Sequence, residues 1–276
     1  MSVIARATSW HWVCYPCGQQ CIRMTTNCVP RYSATSSKKL LTQETQRRYR
    51  RSFYQNVARV HTLVLVRSGK CTSSRDGRFV GWDDTSLTET GKLSASLAGL
   101  LLSNNRRLIG RQIDKVFTSR LKRTIKSSWV IMEQLDCMQA SLQNDWSLNE
   151  RHLGHLQGLS RVEADRTYGR NQVQQWLIDP NSLPCIGSHG TRADRIISDD
   201  AASSASVPAL LGESNLDMFE RVRTFWHNVI APSFGASSVS GTSCNSSDKA
   251  ILVCLPHGPL RVLVHLIESQ QQQQQQ

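Results

Sequence analysis

TLVLVRSGK, residues 62–70, opens on an unbroken run of apolar and β-branched residues and closes on an arginine, a serine and a glycine. A run that does not alternate suits a parallel strand covered on both faces. Ligands of parallel sheets sit beyond the carboxyl ends of the strands. The strand thus delivers Arg67, Ser68 and Gly69 to the place where an α/β protein builds a phosphate site. Such a turn is expected to hold a nucleophile between the arginine and the glycine, and the residue there is Ser68.

Outward from this strand, SLTETGKLSASLAGLLLSNN predicts a helix capped by Thr88, with Leu93, Leu97, Leu100 and Leu101 recurring at helical spacing toward the core. RQIDKVFTS predicts a second strand. SRLKRTIKSSWVIMEQLD predicts a second helix, capped by Ser119, with Leu121, Ile125, Met132 and Leu135 inward. WSLNERHLGHLQGLS reads as a loop leading to a polar helix that ends near Leu177. Residues 179–212, rich in Ser, Pro, Gly and Asp, read as a surface insertion. ESNLDMFERVRTFWHNVIAP predicts an amphipathic helix with Leu216, Phe219, Val222, Phe225 and Val229 inward, ending at Pro232. Residues 233–249 have linker composition. AILVCLPHG predicts a third buried strand, with Pro259 in the first turn of a last helix. The seven glutamines Gln270 to Gln276 contribute no core and read as a disordered tail.

This order of strands and helices predicts a three-layer α/β domain over residues 60–269: a mostly parallel sheet with helices on both faces. The first 59 residues read differently. Of the net charge of +12, residues 1–60 carry +9, from ten Lys/Arg against one acid, Glu44. An Arg- and Ser-rich, acid-poor segment of this kind predicts a mitochondrial targeting leader or a basic arm. No apolar run is long enough to span a membrane. Cys14, Cys17, Cys21 and Cys28 stand close together in this segment. They suit either four thiolates around one zinc ion or reduced cysteines in a leader. The spacing is tighter than common zinc ribbons, so the second reading is preferred and no metal or other cofactor is expected.

Five blocks in order carry a resemblance: RFVGWDDTSLTETGKLSA, VFTSRLKRTIKSSW, LNERHLGHLQGLSRVEADRTYGRNQVQQW, GESNLDMFERVRTFWHNVIAP and ILVCLPHGPLRVLVHLIE. From about His61 to Glu268 the chain resembles the histidine phosphatase superfamily, and within it the cofactor-dependent phosphoglycerate mutases. The resemblance implies a phosphate clamp of Arg67, Arg123 and His257, with Arg161 and Gly81 in the phosphate-binding set and Glu150 as general acid and base. It also implies a histidine nucleophile at the position occupied by Ser68. A serine hydroxyl needs a base to attack phosphorus, and its phosphate ester is a poor donor afterwards. His61 stands seven residues away, roughly 23 Å along a strand. The family's paired arginines fall on Leu177 and Ile178, and its tyrosine after the Glu-Arg-His run falls on Leu153. His152, His155 and His257 match no metal-ligand spacing, so a structural role is expected for His152.

The resulting expectation is a catalytically degenerate mutase-like protein. Its basic segment would meet mitochondrial proteins and ribosomal RNA in an RNA–protein complex such as the mitochondrial ribosome. Its pocket would keep a weak phosphate ligand. The alternatives are an active phosphoglycerate mutase or phosphatase, or a sensor of a phosphorylated ligand.

Overall fold

The computed structural model describes residues 7–14, 20–26, 60–105, 112–184, 212–235 and 250–275. Six strands form one sheet: β1 (Ala7–Cys14), β2 (Gln20–Thr26), β3 (Val60–Arg67), β4 (Ile113–Thr118), β5 (Ser141–Asn144) and β6 (Ala250–Leu255), in the order β1-β2-β3-β6-β4-β5. The stretch from β3 through β6 and β4 to β5 is parallel throughout, whereas β1 and β2 are an antiparallel pair added to the free edge of β3.

Register explains why the deciding run does not alternate. Leu65 stands opposite Val253 and Val66 opposite Cys254. Leu63 and Leu65 face one core with Phe117 and Val253, while Val64 and Val66 face the other with Val116 and Leu252. Both faces are closed, so each residue of the run must be apolar.

Helices α1 (Thr72–Arg75), α2 (Glu89–Ser103) and α3 (Lys122–Gln134) follow β3 and β4; α4 (Arg161–Tyr168) and α5 (Arg170–Ile178) follow β5. Then come α6 (Asn215–Phe225), α7 (Ala231–Gly235) and α8 (His257–Gln275). Helices α2 and α3 pack on the Val64 face, and α6 and α8 on the Leu63 face. Thr88 caps α2 as expected, its side chain accepting from the Gly91 N–H. No helix among the described residues is long and apolar enough to cross a membrane.

Several expectations are corrected. Strands β1 and β2 lie in the segment read as an arm, and β5 lies between the expected second helix and the loop that begins at Trp146, where no element was expected. Edge strands of four to eight residues with mixed polarity carry too little periodicity to be read from the chain. Helix α3 begins at Lys122 with Leu121 as its cap residue; the Ser119 hydroxyl instead pairs with Thr124. The inward face of α3 is polar: Arg123, Thr124, Ser127 and Ser128 are buried beside Ile131 and Met132, while Ile125 and Leu135 are only half-buried. The Ser127 and Ser128 hydroxyls donate to the carbonyls of Arg123 and Thr124, which satisfies them without the core.

Helix α2 turns the other way from its leucine pattern. Leu93 and Leu97 are 61% and 49% exposed, and the buried face is Gly91, Ala95, Ala98, Gly99 and Leu102. A Cβ on Gly99 would overlap the Gln134 side chain, so small residues are what let α2 approach α3. The expected polar helix before Leu177 is broken at Gly169 into α4 and α5. Helix α6 buries Met218, Val222 and Phe225, leaves Leu216 largely exposed, and continues through a π-helical turn, Trp226–Ile230, into α7 beyond Pro232. Helix α8 runs on through Gln275, so all but the last glutamine are helical.

Candidate active site

The site lies where β3 and β6 end. The Ser68 N–H donates to the Leu255 carbonyl at 2.8 Å, which pins the turn after β3 to the end of β6. The Gly69 N–H donates to Ser127 Oγ at 3.0 Å, and the Thr88 N–H and hydroxyl both donate to the Lys70 carbonyl. The turn is thus clamped between the starts of α2 and α3. A Cβ on Gly69 would strike Gly91 backbone, and a Cβ on Gly91 would strike Lys70, so only this glycine pair permits the approach.

Arg123, on the first turn of α3, is 5% exposed. Its Nη1 donates to the Asp83 carbonyl at 3.0 Å and its Nη2 to the Gly81 carbonyl at 2.8 Å. Burial pushes the guanidinium pKa down, opposed by Cys71 and the nearby carboxylates of Glu150, Asp84 and Asp83. Among the described residues no carboxylate forms an ion pair with Arg67, Lys70 or Arg123. Arg123 is buried with no carboxylate in ion-pair contact, and an anion in this place would pair with it.

Glu150 reaches the site from the loop after β5. Its carboxylate accepts from the Gly258 N–H at 3.1 Å and from its neighbour's N–H, Arg151, at 3.1 Å. A Cβ on Gly258 would overlap this carboxylate, which fixes glycine after His257. The loop itself hangs on a buried ion pair. Arg221 of α6 bonds both oxygens of Glu213, whose side chain is 1% exposed. The same guanidinium donates to the Ser147 and Glu150 carbonyls, and Glu213 accepts from the His152 N–H. Trp82 Nε1 also donates to the Glu150 carbonyl.

A cavity of about 400 Å³ collects Arg67, Ser68, Lys70, Cys71, Arg123, Glu150 and His257. His257 is its one histidine among the described residues. Burial lowers the His257 pKa, the charges of Arg67 and Arg261 lower it further, and Glu150 opposes them. Burial alone would raise the Cys71 thiol, but the hydroxyls of Thr85 and Ser74 and the charge of Arg123 outweigh it and bring the pKa below its ordinary value. Among the described residues no base hydrogen-bonds the Ser68 hydroxyl.

The structure gathers Arg67, Ser68, Arg123, Glu150 and His257 on one cavity. Gly81 stays outside the cavity wall and contributes its carbonyl to Arg123. Arg161 also stays outside, exposed on α4 and paired with Asp165 at 3.1 Å. His152 is a packing residue, edge-on to Trp82, with Nδ1 accepting from the Gly154 N–H. Cys14 and Cys21 stand on β1 and β2, while Cys17 and Cys28 lie outside the described residues. No group of three or more metal-binding side chains occurs among the described residues. Lys70 and Cys71, which follow the turn, also line the cavity. The Arg221–Glu213 strut was unforeseen; eight residues apart on one segment, that pair had only its opposite charges to signal it.

Comparison with known proteins agrees with this geometry. The family model of the histidine phosphatase superfamily (branch 1) matches residues 63–199. The 2,3-bisphosphoglycerate-dependent phosphoglycerate mutase of Blochmanniella pennsylvanica is 34% identical over 171 residues, 62% of this chain and 72% of that protein. The chain belongs to the histidine phosphatase superfamily. The corresponding mutase of Nitrosococcus oceani is 35% identical over 178 residues, 63% of this chain and 71% of its own length. Among solved structures, a mycobacterial glucosyl-3-phosphoglycerate phosphatase superposes with a TM-score of 0.51 at 22% identity, covering 74% of this chain and 78% of that one. That likeness carries the fold alone: a histidine phosphatase α/β fold with a parallel four-strand sheet.

Proposed function

We propose that this protein is a phosphoester-binding member of the superfamily that has lost the phosphohistidine step. One observation carries the reading: Arg67, Lys70, Arg123 and His257 line a pocket where, among the described residues, no carboxylate pairs with the three cations and no base bonds the hydroxyl of the serine beside Arg67. Guanidinium groups suit phosphate oxygens in a fixed, bidentate geometry. Phosphorus at the strand end would meet Ser68 Oγ, a weak nucleophile without an activating base. The pocket therefore holds a phosphate and does not take it over.

The test pairs binding with phosphoryl transfer. In calorimetry the full chain binds inorganic phosphate, and radiolabelled 2,3-bisphosphoglycerate leaves no label on it. Ser68→His is expected to form an acid-labile phosphoprotein in the same pocket. Steady release of phosphate from p-nitrophenyl phosphate by the unaltered chain, lost in Glu150→Gln, would overturn the reading in favour of an active phosphatase or mutase.

The +9 charge of residues 1–60 supports a companion role, in which the inert domain is a structural or assembly subunit of a mitochondrial RNA–protein complex. On sedimentation of a mitochondrial lysate the protein is then expected in a large particle that collapses with ribonuclease. A position near the top of the gradient, unchanged by ribonuclease, removes this role and leaves the pocket untouched.

A further inference from the structure

The phosphate pocket opens into a larger cleft of about 770 Å³, with which it shares Glu150 and His257. That volume lies in the range of small-molecule sites. The cleft is formed between the end of α5, the start of α6 and one face of α8. Its walls are Leu153, Leu177, Ile178, Leu216, Phe219 and Val262. Ile178 is 68% exposed and Leu216 47%, so apolar surface stands open to water beside an anion site. The two walls are tied together: the Leu216 N–H donates to the Pro180 carbonyl at 3.0 Å, and Asn215 Nδ2 to the Leu177 carbonyl at 3.4 Å. The cleft is preformed rather than a gap between independent helices.

Arg151, Arg261 and His265 also line the cleft. Arg151 is 5% exposed and turned inward, with Nη2 donating to the Trp176 carbonyl at 2.7 Å. Arg261 and His265 stand exposed on α8. Glu150 is the one acid on the lining among the described residues. Along the wall of Leu177, Ile178 and Leu216 a second phosphate or a carboxylate would lie against side chains that cannot replace the water it loses. A hydrocarbon body would instead cover Ile178 and Leu216 and gain from leaving water.

We infer that the ligand of this site is a phosphomonoester with an apolar body, its phosphate among Arg67, Arg123 and His257 and its body against Leu177, Ile178 and Leu216. The inference rests on the phosphate-binding reading above and adds the substrate class. Binding of three probes to the full chain separates the two: inorganic phosphate, glycerol 2-phosphate and 1-naphthyl phosphate, which share the anion and differ in the body. The naphthyl ester is expected to bind at least about tenfold more tightly than the glycerol ester. Ile178→Gln, a neutral change at an exposed position, is expected to cut that ratio several-fold. Equal affinity for the two esters, with inorganic phosphate still bound, overturns the apolar body and leaves the phosphate pocket standing. Failure of all three probes to bind overturns the pocket itself.

Discussion

The charged pocket and the apolar cleft meet at Glu150 and His257 but are assembled by different means. The pocket is made at strand ends, where short turns and backbone hydrogen bonds set positions: Ser68 on Leu255, Gly69 on Ser127, Glu150 on Gly258. The cleft is made by helices α5, α6 and α8, drawn from segments far apart in the chain. A strand end admits little variation, because moving one residue breaks the parallel register. A helix face admits exchange of one side chain for another at small cost. Anion binding and choice of ligand body therefore reside in parts of the fold with different freedom to change.

The strongest way to break this separation is to remove the strut that both regions share. Glu213→Gln leaves the Arg221 guanidinium buried without its charge partner. Loss of one member of a buried pair costs about 3–5 kcal/mol, which chemical denaturation would read directly. Phosphate binding and the preference for an apolar body should fall together. Loss of stability with both binding properties intact would show that the strut does not set the site.

A smaller effect is expected from Gly258→Ala. The added methyl displaces the Glu150 carboxylate, at about 1–3 kcal/mol of stability. Because Glu150 and Gly258 both line the cleft, and Glu150 also lines the pocket, naphthyl phosphate should weaken more than inorganic phosphate does. Equal weakening of both would make the shared wall part of the anion site alone.

The smallest effect concerns pH and isolates the pocket. Burial and the charges of Arg67 and Arg261 lower the His257 pKa. This favours the neutral ring in the free protein, whereas a bound anion favours the protonated form. Binding therefore takes up a proton, and affinity rises as pH falls through the range below the ordinary histidine value of about 6.5. Sulfate is the suitable probe, since its own charge is constant there. Its affinity should rise by at most about tenfold per pH unit, and His257→Gln should flatten the profile. For the free protein the sign is the reverse: a lowered histidine pKa means that stability falls as pH drops below about 6.5.

The parts legible in the chain are those that local chemistry fixes. The 62–66 run states a strand closed on both faces, Arg67 and His257-Gly258 mark two strand ends, and Thr88 states its own cap. The resemblance supplied the roles of Arg123 and Glu150. It also placed Arg161 and Gly81 in the phosphate set, whereas the structure has Arg161 paired with Asp165 on the surface and Gly81 behind Arg123. Spacing could not tell which side of a helix faces the core. Leu93 and Leu97 repeat as a buried stripe would, yet Ala95, Ala98 and Gly99 are the residues in contact with α3.

By itself, then, the sequence determined the parallel core, the strand-end turn and the presence of Ser68 in it. A strand buried on both faces and a glycine-only turn allow few residue types, so composition reveals them. Tertiary structure alone decided the inward face of α2, the Arg221–Glu213 strut and the apolar cleft beside the anion pocket. Each of these depends on how closely two distant segments approach, and that distance is set by packing, which no local pattern records.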